Sequence, residues 1–340
     1  MQFQHADEIW RDFPELVPGV LYVTGIGRDV PADSAGRAEK FLAIARARLA
    51  DGPESEMPEI QAWRRAFARM GLKPTQYRCA AESLLRRFRK EGTLPRLHPL
   101  VDLCNAISLA FAIPVAVLDV AAITGGIEVR YAAGDEDYVT FGGDTEHPAP
   151  GEVIFADAAR HVHARRWTNR QSGLSAVREQ TADVLIVAEA LHPAAAADIG
   201  ELTAAIAGEL TATWAGQGPG PVTGTLTRAA PRFTFRSLPG GLAQAPARHH
   251  LHDAEDQQPY AEDDGQGQQR KAGPGQHDET RDHGEYPGEN GPASILRTAV
   301  HQRHEDVDDA ADDPVDAQEH RERDQRQHRV ADRPQADDDR

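Results

Sequence analysis

The sequence is short of several things, and each shortage excludes something. Cysteine occurs only at Cys79 and Cys104. Two are too few for a disulfide framework, so buried thiols in a reducing compartment are expected. No apolar run reaches the roughly 18–20 residues that a membrane span needs. Met1 to Trp10 carries acidic and polar residues where a secretion signal needs a basic start and an apolar stretch. A cytoplasmic protein with no membrane partner is the expectation. There is no Gly-rich phosphate loop, no HExxH, no CxxC and no GxSxG, so the familiar nucleotide, zinc-protease, redox and serine-hydrolase signatures are missing. No cofactor and no metal are expected. Ser172, in Gln-Ser-Gly, reads as a turn residue. Gly125-Gly126 reads as a turn between strands, since no helix follows it.

Aromatic residues thin out after Phe235. All four Trp and all ten Phe lie at or before Phe235, and only Tyr260 and Tyr286 follow. Residues 236–340 carry 25 Asp and Glu against 13 Lys and Arg, while residues 1–235 carry 29 against 24. The acidity of the protein, −17 overall, thus comes mostly from the C-terminal region. That region has one Lys, Lys271, and almost no apolar run. It cannot bury enough surface to offset its ordering entropy, so a disordered, low-complexity tail over 236–340 is expected. Its bias toward Arg, His, Asp, Gln and Pro admits two origins, an out-of-frame translation of GC-rich DNA or a genuine acidic tail. Reading the other frames of the gene separates them. His249, His250 and His252 lack the regular spacing of a metal site.

Residues 1–235 hold what a folded domain needs. Gly19 to Gly25 alternates as a first strand. Helices are expected at Ser34–Ala50, Pro58–Met70, Arg78–Lys90 and His98–Ala112. Strands follow at Val115–Leu118, Ile127–Ala132, Tyr138–Phe141, Glu152–Ala156, His161–Arg165 and Val184–Glu189, with Gly and Asp between them. Pro193 to Trp214 closes the domain as an amphipathic helix. Helices, then mainly antiparallel strands, then a helix, predict an α+β fold.

Two basic features stand out. Between Arg64 and Arg96 lie ten Lys and Arg and only two acids, Glu82 and Glu91; Arg86 and Arg87 belong to a run that ends a helix. The second is Arg165-Arg166-Trp167-Thr168-Asn169-Arg170, three guanidiniums around an indole. Arg grips phosphate and Trp stacks on flat rings, a pairing suited to an RNA end or a nucleotide. The alternative for the helix run is a solvated helix end in a favourable dipole.

The middle of the chain carries an ordered set of motifs: Val101-Asp102-Leu103-Cys104-Asn105, then Pro114 and Asp119, then Ile127 to Ala132, Glu152 to Asp157, and Thr181 through the apolar strand to Pro193. In this order they resemble the tRNA-binding B-three/B-four domain of the bacterial phenylalanyl-tRNA synthetase β subunit, over roughly Leu100 to Pro193. Trp63-Arg64, Gly71 to Arg78 and Glu82-Ser83-Leu84 are similar to the helical lead-in of free-standing relatives, giving a family-like core over about 63–215. The resemblance implies a helical N-terminal lead-in packed on a mainly antiparallel, β-sandwich-like core.

In the synthetase this domain hydrolyses tyrosine wrongly attached to the phenylalanine tRNA. The resemblance carries its residues over in part. The Asn of V-D-x-x-N is Asn105. The family's His falls on Ala116, its carboxylate on Val187, and its Gly-rich segment on Arg165 to Gln171. Side chains alternate along a strand, so Glu189 shares the face of Val187 and can take over the carboxylate's role of anchoring an aminoacyl ammonium. Asn105, Glu189 and Gln171 are therefore the expected catalytic residues, with Asn105, Gln171 and the amides around Gly173 as donors to an oxyanion. Arg165, Arg166, Trp167, Arg170, Arg86 and Arg87 are the expected RNA contacts. For Glu189 the structural alternative is an ion pair with Arg130 or Arg165, and for Asn105 a cap between helix and strand. The expected partner is tRNA or aminoacyl-tRNA, not DNA; the activity implied is aminoacyl-tRNA deacylation in trans, without aminoacylation. The rival reading is a binding module for an amino acid or related small molecule, with a degenerate pocket and no catalysis. Oligomeric state is not legible.

Overall fold

The computed structural model describes residues 1–26, 34–214 and 218–235. The low-complexity region expected from residue 236 on lies outside the described residues. In chain order the elements are β1 (Gln2–His5), α1 (Asp7–Asp12), β2 (Val17–Thr24), α2 (Ser34–Asp51), α3 (Pro58–Arg69), α4 (Ala80–Glu91), α5 (Pro99–Phe111), β3 (Val115–Asp119), β4 (Gly126–Tyr131), β5 (Asp137–Val139), β6 (Thr145–Glu146), β7 (Val153–Asp157), β8 (His161–Arg165), β9 (Arg170–Gln171), β10 (Asp183–Ala190), α6 (Ala195–Thr213), β11 (Val222–Thr225) and β12 (Arg232–Thr234). This is a mixed α+β fold with a helical region before most of its strands.

A strand that is apolar at nearly every position must be covered on both faces, and Val184 to Ala190 is buried throughout. It lies inside a four-stranded sheet of order β11-β2-β10-β3, paired antiparallel with both neighbours. Helix α6 packs on β2 and β10. Its approach is so close that a Cβ on Gly19 would sit 2.6 Å from Thr203 and 2.7 Å from Ile199. The alternate residues Leu185 and Val187 join a second core. That core combines Val20, Tyr22 and Leu118 with Phe3, Val129, Val153 and Phe155 of the other sheet, and with Trp63, Phe67, Leu84 and Phe88 of α3 and α4.

The larger sheet has the order β12-β1-β4-β7-β8-β5-β6, with β9 on β8. It is mainly antiparallel, but β1 runs parallel to β4 and β5 parallel to β8. The sequence places its first strand at Gly19–Gly25, and the structure adds an earlier one. Gln2–His5 form an interior strand, and Met1 N bonds to Phe235 O at 2.9 Å. Gln-Phe-Gln-His has a single strong apolar residue, Phe3, too little to show alternation. Tertiary pairing with β4 and β12 decides it.

Gly126 opens β4 at φ +151°, and a Cβ there would lie 2.3 Å from Gln2 O. Gly126→Ala must either strain the backbone or push β1 out of register. We expect a loss of about 1–3 kcal/mol, read as a lower urea midpoint at an unchanged slope. A midpoint equal to wild type would show that β1 yields at no cost. Cys79 and Cys104 are both buried and unpaired in disulfides, and burial pushes the Cys104 thiol up to about 12. No helix among the described residues is long and apolar enough to cross a membrane.

Candidate functional site

Helix α5 carries the first site residue. His98 caps it, its Nδ1 accepting Leu100 N at 3.2 Å, and Pro99 follows at the first helical position, where a missing N–H is harmless. Burial pulls His98 below its ordinary range, opposed by the charge of Glu179. With Nδ1 already an acceptor, neutral His98 carries its proton on Nε2. About two turns after His98 comes Asn105, only 6% exposed, and its amide makes no hydrogen bond among the described residues. Its amide atoms are not among the buried unpaired ones, so they face the open space beside the helix.

Asn105 and His98 line a cavity of about 350 Å³ together with Val115, Val117, Gln171 and Arg178. Gln171 is fixed there by its Nε2 bond to Val117 O at 2.8 Å, and Tyr138 Oη donates to its carbonyl at 2.8 Å. The outer wall is the loop from Gly173 to Thr181. Thr181 Oγ1 accepts Arg178 N at 2.9 Å and donates to Asp119 at 2.7 Å, while Asp119 N donates to Ser175 O at 2.9 Å. Ser172 holds the start of this loop, donating to Val139 O at 2.8 Å and accepting Leu174 N at 3.1 Å, a turn role. Asp102 likewise serves the entry to α5, accepting Leu97 N at 2.9 Å, and burial raises its carboxyl.

Gln171 also lines a second, smaller cavity of about 30 Å³, with Ala116, Trp167, Val187 and Glu189. That is room for about one water. The structure thus brings Asn105 to Gln171, and Gln171 to Glu189, while Asn105 and Glu189 line different ones of these two cavities. Glu189 is 1% exposed. Its Oε1 meets His5 Nε2 at 2.5 Å, its Oε2 accepts Trp167 Nε1 at 2.9 Å, and its carbonyl accepts Trp63 Nε1 at 3.2 Å. The ion pair with Arg130 or Arg165 considered from sequence is replaced by a His and an indole. Arg130 pairs instead with Glu136 at 2.6 Å.

The Arg-Arg-Trp segment is built differently from the expectation. Arg166 and Trp167 both take left-handed backbone, φ +47° and +59°, which reverses the chain between β8 and β9 and turns the indole inward. Trp167 is fully buried, edge-on to Trp63 at 5.0 Å and to Phe13 at 4.7 Å. No face of it is open to a base in this conformation. Arg165 is buried too, forked onto Glu152 at 2.9 Å twice and bonded to Glu146 at 2.5 Å. Arg166 lies over Tyr77 at 4.7 Å, and Arg170 over Tyr138 at 5.4 Å with Glu146 at 3.4 Å.

The basic run on the helices is likewise met by acids. Arg64 bonds Glu82 at 2.5 Å, and Arg78 approaches it at 3.5 Å. Arg86 and Arg89 approach Glu54 at 3.9 and 2.9 Å, and Arg87 meets Glu91 at 3.1 Å. Glu54 lies outside the stretch counted from sequence, which is why the run read as poorly neutralised. Glu59, His192 and Asp198 also converge, their ligand atoms within 4.8 Å of one another. Both Glu59 oxygens already accept Arg48, at 2.8 and 2.9 Å, and His192 meets Asp198 at 2.6 Å. That cluster closes as two pairs of opposite polarity.

Sequence reasoning missed His5, His98 and Arg178. His98 carried a signal, since a polar residue before Pro at a helix start marks an N-cap. His5 and Arg178 carried none, because only the tertiary fold brings them to these cavities.

Residues 62–204, which contain Asn105, Gln171, Arg178 and Glu189, match the B3/4 domain family. This segment is similar to the B3/4 domain family and, distantly, to the phenylalanyl-tRNA synthetase β subunit. Among curated relatives, the phenylalanine–tRNA ligase β subunit of Cereibacter sphaeroides is 28% identical over 172 residues, 50% of this chain and 21% of that protein. The β subunit of Thiobacillus denitrificans is 28% identical over 178 residues, 52% of this chain and 22% of that protein. The chain thus spans about a fifth of the length of these relatives. Among solved structures, an N-terminal fragment of the phenylalanyl-tRNA synthetase β subunit from Pyrococcus horikoshii aligns at TM-score 0.33 and 9% identity, over 61% of this chain and 48% of that one. A likeness so slight carries no argument about the fold.

Proposed function

We propose that this domain binds the aminoacyl end of a charged tRNA in the 350 Å³ cavity and acts on it as a deacylase in trans. One observation carries the reading: Asn105, a largely buried residue whose amide makes no hydrogen bond among the described residues, lines a cavity of ligand size beside a fixed Gln171. Such donors suit a carbonyl whose oxygen becomes negative as water attacks the ester. His98, protonated on Nε2, adds a third donor on the same wall and is not a base in this tautomer. The names of the relatives support tRNA as the partner.

Glu189 supports a second reading, binding without hydrolysis. Both its oxygens are engaged inside the core, and Ala116 and Val187 bring no polar group to the small cavity. The test is full-length protein incubated with tRNAs mischarged with several amino acids. We expect faster loss of at least one aminoacyl group than in buffer, and a drop of about 10²-fold in Asn105→Ala, the scale of losing one oxyanion donor. If no charged tRNA is deacylated above buffer while tRNA is still bound, hydrolysis falls and the binding reading stands.

A further inference from the structure

We propose that Arg178 is an anion-binding residue at the rim of the 350 Å³ cavity, and that the cavity's ligand carries an oxyanion there. The inference rests on the reading of this cavity as the ligand site. It moves the cationic contact away from Arg165 and Trp167, which the core consumes.

Three observations on Arg178 support it. Its side chain is exposed and lines the cavity. Its guanidinium is aimed by two carbonyls of its own loop, Nη2 to Gly173 O at 2.7 Å and Nη1 to Ala176 O at 3.1 Å. It meets no carboxylate among the described residues, in contrast to Arg64, Arg86, Arg87 and Arg165, each of which meets one. Carbonyls orient a guanidinium without neutralising it, and a planar donor fork held in one pose is the group that grips carboxylate or phosphate best.

The loop itself is fixed. Gly173 N donates to Val139 O at 2.9 Å, and a Cβ on Gly173 would meet Thr140 O at 2.7 Å. Thr181 ties the other end to Asp119. Across the same cavity lies Asn105, a largely buried residue whose amide makes no hydrogen bond among the described residues. A ligand with an anion near Arg178 and a carbonyl near Asn105 satisfies both. A phosphodiester next to an aminoacyl ester has this form, and so does the α-carboxylate of a free amino acid. Arg178 recognises the shared oxyanion chemistry.

The experiment measures binding to the full-length protein of uncharged tRNA over a range of salt concentrations, and separately of free amino acids, for wild type, Arg178→Gln and Arg178→Lys. Gln keeps an amide donor for Gly173 O and removes the charge; Lys keeps the charge and loses the fork. With tRNA, we expect Arg178→Gln to weaken binding about tenfold and to reduce the slope of log affinity against log salt by about 0.7, the share of one single-strand phosphate. Arg178→Lys should retain most of that slope. If wild type binds an amino acid and not tRNA, and Arg178→Gln weakens it, the oxyanion is a carboxylate; the inference stands and the tRNA reading falls. If wild type binds tRNA and Arg178→Gln matches it in affinity and slope, the inference falls and the tRNA reading stands. If Gln and Lys lose equally with the slope unchanged, Arg178 only shapes its loop and the inference falls. If wild type binds neither, both fall.

Discussion

Glu189→Ala is expected to lower the unfolding free energy of the full chain by about 3–5 kcal/mol, the scale of removing one partner from a buried pair. The carboxylate is 1% exposed and is shared by His5 at 2.5 Å and the Trp167 indole at 2.9 Å. Its removal strands two buried donors at once. It also unties β10 from β1, since His5 is the last residue of that strand. Glu189→Gln keeps an acceptor for the indole and should lose less. Urea unfolding measures both. A double-mutant cycle with His5→Ala should return a coupling of about 0.5–3 kcal/mol, the range for contacting residues. Were Glu189→Ala within about 1 kcal/mol of wild type, the carboxylate would not be a structural keystone, and its role as a ligand anchor would return to the front.

Sequence pattern placed most of the elements because their period was long enough to see. α2 through α6 and the strands β2, β3, β4, β7, β8 and β10 stand within a few residues of their expected positions. The elements it missed are short: β1, β6, β9, β11 and β12 have two to four residues each, and α1 has six. At such lengths no periodicity accumulates, and the sheet partners decide the conformation. The site was legible in its parts and not in its assembly. Asn105 and Gln171 come from distant segments and do meet at one cavity. Alternation put Glu189 on the face of Val187 correctly, yet alternation could not say that this face is the core and that β1 supplies its partner. The Arg-Arg-Trp segment misled for a physical reason. Two consecutive left-handed residues without glycine are uncommon, so the inward turn of Trp167 had no sequence signal.

That inward turn sets the second large effect. Trp167→Ala should cost about 3–5 kcal/mol, the range for deleting a buried Trp or Phe. The indole fills the space between Trp63 and Phe13, and edge-to-face contacts of this kind add to the area it buries. It also holds Glu189 Oε2, so its loss leaves that oxygen without its donor. Trp167→Phe separates these contributions: a ring remains, the N–H does not, and a loss of about 1–3 kcal/mol is expected for the unpaired acceptor. The same variants decide between a core residue and a base-stacking one. A stacking Trp on the surface would leave the unfolding midpoint where it is and weaken tRNA binding by about 1–3 kcal/mol. A core Trp does the reverse, lowering the midpoint while the fraction that stays folded binds as before. Measuring the midpoint and the affinity on one preparation of Trp167→Phe tells them apart. Unchanged stability with weakened RNA binding would mean that the turn at Arg166 and Trp167 opens, and would restore the indole to the RNA site.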